Sequence, residues 1–289
     1  MRYGAIEAGG TKFVLAVIDE DMQIVARERI DTRLPAETLA DVFTFFDANQ
    51  VDAIGIGAFG PIDINKKSAT YGFVKATPKP GWRDFDFLGA MKAWRDIPYF
   101  WTTDVNVAAV GEQQLGAAKG INNLVYLTIG TGIGAGIIQN GQLLSGFGHP
   151  EAGHISLHQH PDDTEFKGVC PYHGTCFEGL AAGPSLQARY GVPAVELGQE
   201  HAAWQVEAYY IAQALVNYSL ILSPERIVLG GGVMHQQMLF PMIRESFVAQ
   251  MADYAQVPNL DEYIQPIALA DDAGVLGCAL LAKYALEQQ

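Results

Sequence analysis

The sequence predicts an α/β fold in which one core motif occurs twice. Two stretches carry this reading: Tyr3 to Asp19 (YGAIEAGGTKFVLAVID) and Leu124 to Ile138 (LVYLTIGTGIGAGII). Each sets a β-branched run, a tight turn of small residues with a threonine, and a second apolar run in the order of a β-hairpin. Around them, strand-like and helix-like apolar patterns alternate along the chain, as in α/β architectures. Glycine turns of this kind present unshielded backbone N–H groups and a hydroxyl to phosphate oxygens. One such turn serves simple chain reversal as readily, but two in similar places point to a duplicated nucleotide-binding core.

The remaining elements follow in order. A β-like run covers 22–29, and 36–49 carries Leu39, Val42, Phe43 and Phe46 at helical spacing. Next come an apolar strand at 53–56 and a turn at Phe59, Gly60 and Pro61. A loop-rich stretch through KATPKPGW leads to a helix-like DFLGAMKAW and a short strand at 98–101. The run 104–116 reads as a helix with an aspartate near its N-terminus, where the helix dipole favours a carboxylate. After the second hairpin, 201–222 is the longest helical pattern, and the strand 226–229 empties into Gly230, Gly231 and Gly232. The terminal run 273–286 is an apolar helix expected to pack back on the first lobe.

Composition excludes several classes. With 289 residues, 49% of them apolar and 17% charged, the chain has ample core for two compact lobes or one large domain. The N-terminus enters a strand almost at once, and no apolar run reaches the roughly 18 residues that span a bilayer. A formal net charge of −14 opposes binding to a polyanion, so nucleic acid is not an expected partner, nor is a membrane. Three cysteines make no disulfide framework, which suits the reducing cytoplasm.

A second chemical feature is a cluster of soft ligands. His154 precedes a Cys170-x2-His173-x2-Cys176 loop, and thiolates with imidazoles suit a tetrahedral Zn²⁺. Four protein ligands would close the shell, the mark of a structural metal. His158 and His160 compete for the fourth position, and the metal would staple an otherwise loose excursion through Pro161, Asp162 and Asp163.

Taken in order, EAGGTKF, GAFGPID, TTDVNVAAVGE, TIGTGIGAG, EAGH, the C-x2-H-x2-C loop and IVLGGGVM resemble the ROK sugar kinases, most of all their bacterial fructokinase branch. The resemblance implies an actin-like ATPase fold of two RNase-H-like lobes with an interlobe cleft. The smaller lobe is expected from 1–116 plus 267–289, and the larger, with the zinc loop, from 117–266. It also implies ATP-dependent phosphorylation of a hexose by a homodimer. By the same resemblance Asp104 is the catalytic base. Gly9, Gly10, Thr11 and Lys12 face the ATP phosphates, as do Thr131 and Gly132. Gly183 with Pro184 lies nearby, and Gly231, Gly232, Val233, Met234, His235 and Gln236 form the adenosine segment. The sugar is assigned to Gly60, Pro61, Thr103, Asp104, Glu151, His154 and Glu178, with His154 serving zinc and sugar through different ring nitrogens. Because the nucleotide loops lie on other segments, metal loss is expected to weaken the sugar site first.

Two positions depart from the broad family pattern. Glu7 stands where most relatives have Asp; the longer side chain still approaches a Mg²⁺ directly or through water. Thr103 stands where many glucose-specific members have Asn, which removes an amide donor and acceptor and fits a different ring form. Fructose is therefore the expected hexose, with glucose, mannose and amino sugars as alternatives. A sugar-sensing regulator of the same family would need a helix-turn-helix ahead of the first phosphate loop, and the loop begins only a few residues from Met1. A non-catalytic sugar binder is opposed by Asp104 together with both phosphate loops.

Overall fold

Near-continuous apolar runs, buried on both faces, fold Arg2–Ala8 (β1) and Lys12–Asp19 (β2) into the first expected hairpin, with Ala8 opposite Phe13. The computed structural model describes residues 1–288. Strand β3 (Ile24–Asp31) pairs antiparallel with β2, while Ala53–Ala58 (β4) lies parallel to β1. Phe73–Val74 (β5) and Phe85–Asp86 (β6) form a separate short ladder, and Tyr99–Thr103 (β7) lies parallel to β4. The first sheet thus runs β3-β2-β1-β4-β7.

Its covering helices follow the predicted periodicity. Pro35 opens α1 (Pro35–Ala48), which buries Leu39, Val42, Phe45 and Phe46. Asp86 caps α2 (Phe87–Trp94) by accepting from the Gly89 N–H. Trp82, fully buried, packs among Phe13, Phe59, Phe85 and Phe87, and its indole N–H donates to the Arg33 carbonyl at 2.8 Å. The helix α3 (Asp104–Gln114) follows β7 without a break.

The second sheet repeats the first. Leu124–Ile129 (β8) and Ile133–Gln139 (β9) form the second expected hairpin, with Gln142–Leu143 (β10) beyond it. Short helices α4 (Phe177–Ala181) and α5 (Gly183–Tyr190) precede the long α6 (Ala203–Leu222). Arg226–Gly230 (β11) runs parallel to β8, and after α7 (Leu239–Met251) and α8 (Leu260–Tyr263), Ile264–Pro266 (β12) runs parallel to β11. The order β10-β9-β8-β11-β12 matches the first sheet strand for strand, an antiparallel hairpin continued on one side by two parallel strands.

The chain divides into two compact units. One comprises Met1–Gly116, Leu143–His149 and the segment from Leu269; the other comprises Ala117–Gln142 and Pro150–Ala268. Two details differ from the expected boundaries of 1–116 plus 267–289 and 117–266. Leu143–His149 joins the first unit, where the His149 Nε2 accepts from the Ile62 N–H at 3.2 Å. Ile267 stays with the second, its N–H donating to Leu229 at 3.2 Å beyond the β12 ladder.

The C-terminal helix α9 (Ala273–Glu287) packs on α3, β4 and β1 of the first unit, as its apolar pattern predicts. The fit depends on glycine. A Cβ on Gly277 would strike the Val107 carbonyl, one on Gly111 the Ala273 carbonyl, and one on Gly55 the Cys278 carbonyl. Backbones at such separations leave no room for any side chain. Among the described residues, no helix is long and apolar enough to cross a membrane.

Candidate functional site

In the first unit, three segments converge at the carboxyl ends of parallel strands. Ala8 of β1 stands beside Ala58 of β4, which stands beside Thr103 of β7. Open α/β sheets bind ligands at this edge. Beyond Ala8, the Gly9 N–H donates to the Lys12 carbonyl at 2.9 Å and closes the glycine turn. Thr32 braces it, donating from its hydroxyl to Gly9 at 2.7 Å and from its N–H to Thr11 at 3.0 Å. Thr11 and Lys12 are exposed. The turn at Phe59 is tied to the same edge, its N–H donating to Ala8 at 2.7 Å. Gly60 and Pro61, joined by a cis peptide, are exposed beside it.

Asp104 is the first residue of α3. The cap itself is Thr103, whose hydroxyl accepts from the Asn106 N–H at 3.2 Å, while the Asp104 carboxylate accepts from Val105 at 2.9 Å. The carboxylate thus sits in the first turn of α3, where the helix dipole suits a negative charge. Thr103 is buried and its oxygen is engaged by the cap. Glu7 lies one residue before Ala8, with its carboxylate against Gly274 at the start of α9. Burial raises its pKa, and the cationic Arg27 and Lys12 partly oppose this.

Lys79, from the KATPKPGW loop, is a feature that sequence reasoning missed. Its side chain lies across the glycine turn: a Cβ on Gly10 would sit 3.0 Å from the lysine Cε and 3.8 Å from Nζ. It also lines a cavity of about 190 Å³ with Thr32, Arg33 and Trp82. The loop was visible as a loop, but its placement over Gly10 follows from tertiary folding that no local pattern encodes.

In the second unit, the corresponding edge carries the second glycine turn. The Gly130 N–H donates to Gly132 at 2.9 Å, and the Gly130 carbonyl accepts from Gly183 at 2.7 Å. Thr131 is exposed at its tip. Gly183 and Pro184 open α5, and Pro184 is exposed. Gly231 has φ of 91° and packs against the Ile129 backbone, a conformation and approach open to glycine alone. In the turn that follows, Val233 and Met234 are buried, whereas Gly232 and His235 are exposed and Gln236 is half-buried. The segment expected to hold adenosine thus leaves the Gly232 backbone and its last two side chains accessible.

The Cys/His cluster assembles as its spacing predicts. The ligand atoms of His154, Cys170, His173 and Cys176 all lie within 4.8 Å of one another. His154 Nδ1 is 3.5 Å from the Cys176 sulfur and 3.8 Å from that of Cys170, and His173 Nδ1 is 3.8 Å from Cys170. Ordinary Zn–S and Zn–N bond lengths give a tetrahedral edge of about 3.6 Å, so the donor set and spacing fit zinc. Burial, reinforced by Cys170, pushes the Cys176 thiol up to about 11; a bound cation would reverse this and hold it as thiolate. His158 and His160 stand apart from the cluster, and the His160 Nδ1 is engaged by the Asp162 N–H.

The excursion through Pro161–Asp163 has fastenings of its own, contrary to the expectation that metal alone would hold it. Asp163 is buried and accepts from Arg189 Nε at 2.9 Å and from the Tyr210 hydroxyl at 2.7 Å. Nor is the Cys/His loop separate from the second glycine turn. Glu178, two residues after Cys176, accepts from the Ile133 N–H at 3.0 Å, at the end of the second glycine turn. Glu151 is exposed, its carbonyl accepting from the His154 N–H at 3.0 Å.

Comparison with known proteins shows the family. The ROK family model matches residues 3–285. A fructokinase of Pediococcus pentosaceus is 49% identical over 287 residues, covering 99% of each chain. A fructokinase of Zymomonas mobilis is 40% identical over 291 residues, covering 98% of this chain and 97% of its own. The crystal structure of a ROK hexokinase from Thermus thermophilus superposes with a TM-score of 0.82 at 27% identity over the full length of both chains.

Proposed function

Because the chain belongs to the ROK family, we propose that it is an ATP-dependent fructokinase that converts D-fructose to fructose 6-phosphate. The observation that carries the chemistry is the placement of Asp104 at the carboxyl edge shared by the Gly9 turn and the Phe59–Pro61 turn. The substrate follows the fructokinases that match at 40–49% identity over nearly their whole length.

Asp104 accepts the proton of the sugar 6-hydroxyl as its oxygen bonds to the γ-phosphorus and the bond to the β-phosphate oxygen breaks, releasing ADP. Phosphoryl transfer asks little covalent chemistry of the protein, so alignment and charge stabilisation dominate. In the first unit, Gly9, Gly10, Thr11 and Lys12 supply N–H groups and charge to the phosphates, and Lys79 adds a second cation over the same turn. Gly60, Pro61 and Thr103 shape the sugar side. In the second unit, Thr131, Gly132 and Gly183 to Pro184 hold phosphate, and Gly231 to Gln236 hold adenosine. Glu151, His154 and Glu178 hold sugar hydroxyls. Mg²⁺, carried by the nucleotide and approached by Glu7, would neutralise phosphate charge. Zn²⁺ would be held by His154, Cys170, His173 and Cys176, with the His154 Nδ1 facing the thiols and Nε2 left for substrate. On the same reading the enzyme is a cytoplasmic homodimer.

A coupled ADP-release assay across hexoses tests the proposal. Fructose should give the highest kcat/KM, and Asp104→Asn should lower turnover by a factor on the order of 10² or more while sugar and ATP still bind. A tenfold preference for glucose, mannose or an amino sugar would overturn the substrate assignment; near wild-type turnover in the variant would overturn the base.

A further inference from the structure

The peptide N–H and carbonyl of Ile133, which end the second glycine turn, are each met by a neighbour of a metal ligand. The N–H donates to Glu178 Oε2 at 3.0 Å, and Glu178 lies in the first turn of α4, which Cys176 caps. The carbonyl lies against Gly153, where any Cβ would strike it, and Gly153 adjoins His154. The two ligand strands are themselves joined: Ser156 bridges Cys176, and the Phe177 N–H donates to Ile155 at 2.9 Å. Past Glu178, the Ser185 hydroxyl and the Ala182 N–H donate to its carbonyl, and the Gly183 N–H reaches Gly130 at 2.7 Å. Both ends of the turn that carries Thr131 and Gly132 are therefore held by the segment issuing from the metal loop.

We propose that Glu178 is a positioning residue for nucleotide binding, transmitting the order of the Cys/His centre to the second phosphate turn through its bond to the Ile133 N–H. The inference rests on the kinase reading above. It adds to the sugar role of Glu178, since one carboxylate oxygen takes the amide while the other remains for a hydroxyl. A carboxylate accepting a backbone N–H in a half-buried setting makes a charge-assisted bond, stronger than a neutral one, so its loss is felt by whatever the turn binds.

Two measurements test it. Calorimetric titration of the metal-loaded protein with a non-hydrolysable ATP analogue and Mg²⁺, without sugar, should show Glu178→Ala weakened on the order of tenfold. Glu178→Gln, which keeps an acceptor for the Ile133 N–H, should stay within about threefold of wild type. A residue serving sugar alone would leave the affinity unchanged in both variants, and that result overturns the proposal, as does a Gln variant as weak as Ala. A wild type that fails to bind the analogue overturns the kinase reading and the inference with it. Should the Ala variant not fold, amide exchange of the wild-type protein decides: zinc chelation should speed exchange at Ile133 on the order of tenfold and spare Leu127 inside β8. Equal protection of Ile133 with and without metal overturns the proposal.

Discussion

Glu207 is fully buried, and neither of its carboxyl oxygens has a hydrogen-bond partner. Burial holds its pKa well above the ordinary carboxylate range, with Arg189 opposing only in part. The consequence for stability has a definite sign. As pH rises past the ordinary value of about 4.5, the unfolded chain releases this proton while the folded chain retains it, so the native state loses stability with rising pH. The loss continues until the raised native pKa is passed and then levels off. Each unit of upward shift corresponds to about 1.4 kcal/mol. Glu207→Gln keeps the shape and cannot ionise. Its urea midpoint should match wild type near pH 4 and exceed it by a margin that grows towards pH 8. A difference that does not change with pH would place the effect in packing instead. The neighbouring Asp163, Arg189 and Tyr210 form the bonded part of the same polar cluster. In the sequence Asp163 reads only as part of a loose excursion and Glu207 as one more solvated charge on a helix, so their burial is not visible there.

Among the elements, those with strong periodicity were legible. The two hairpins, α1, α6 and α9 emerge at nearly their predicted bounds because apolar spacing alone determines which face is buried. The short α4, α5 and α8 and the three-residue β12 carry too few turns or alternations to register, and their positions come from tertiary contacts. The seam between α3 and α9 was also hidden. Gly111 and Gly277 look like weak points of helices in a sequence, yet they are the contacts that let the two backbones meet. Gly277→Ala should therefore overpack the seam at a cost of about 1–3 kcal/mol, although alanine is the better helix former. Because Asp104 begins α3, the displacement should also reach the proposed base. Turnover should fall on the order of tenfold or more, out of proportion to sugar and nucleotide affinity. Thermal unfolding and steady-state kinetics on one preparation check both parts. A lowered midpoint with intact kcat would show that α3 absorbs the strain before its N-terminus.

At the scale of the whole chain, the duplication read from two glycine-threonine turns is realised as two sheets with the same strand order. The sequence exposed the repeat because each turn is short and chemically constrained. It concealed the transfer of Leu143–His149 to the first unit, which rests on packing and on one imidazole accepting from Ile62. The Cys/His cluster was legible for a similar reason, three of its four residues lying within one short loop. Net charge acts over the longest range. At −14 the molecule repels an anionic nucleotide, while on the proposed reading Lys12 and Lys79 attract it at the first turn. The two effects separate by distance. A Debye length of roughly 30 Å at 0.01 M salt lets the whole charge be felt, and roughly 8 Å at 0.15 M leaves only near neighbours. Raising NaCl from 10 to 150 mM with Mg²⁺ held in excess should therefore lower the KM for ATP by a factor on the order of two, through screening of the net charge. Fructose is neutral, so its KM should stay nearly constant. A KM for ATP that rises with salt would instead mean that the lysines at the turn outweigh the rest of the molecule, and Lys79→Met should then abolish most of that rise.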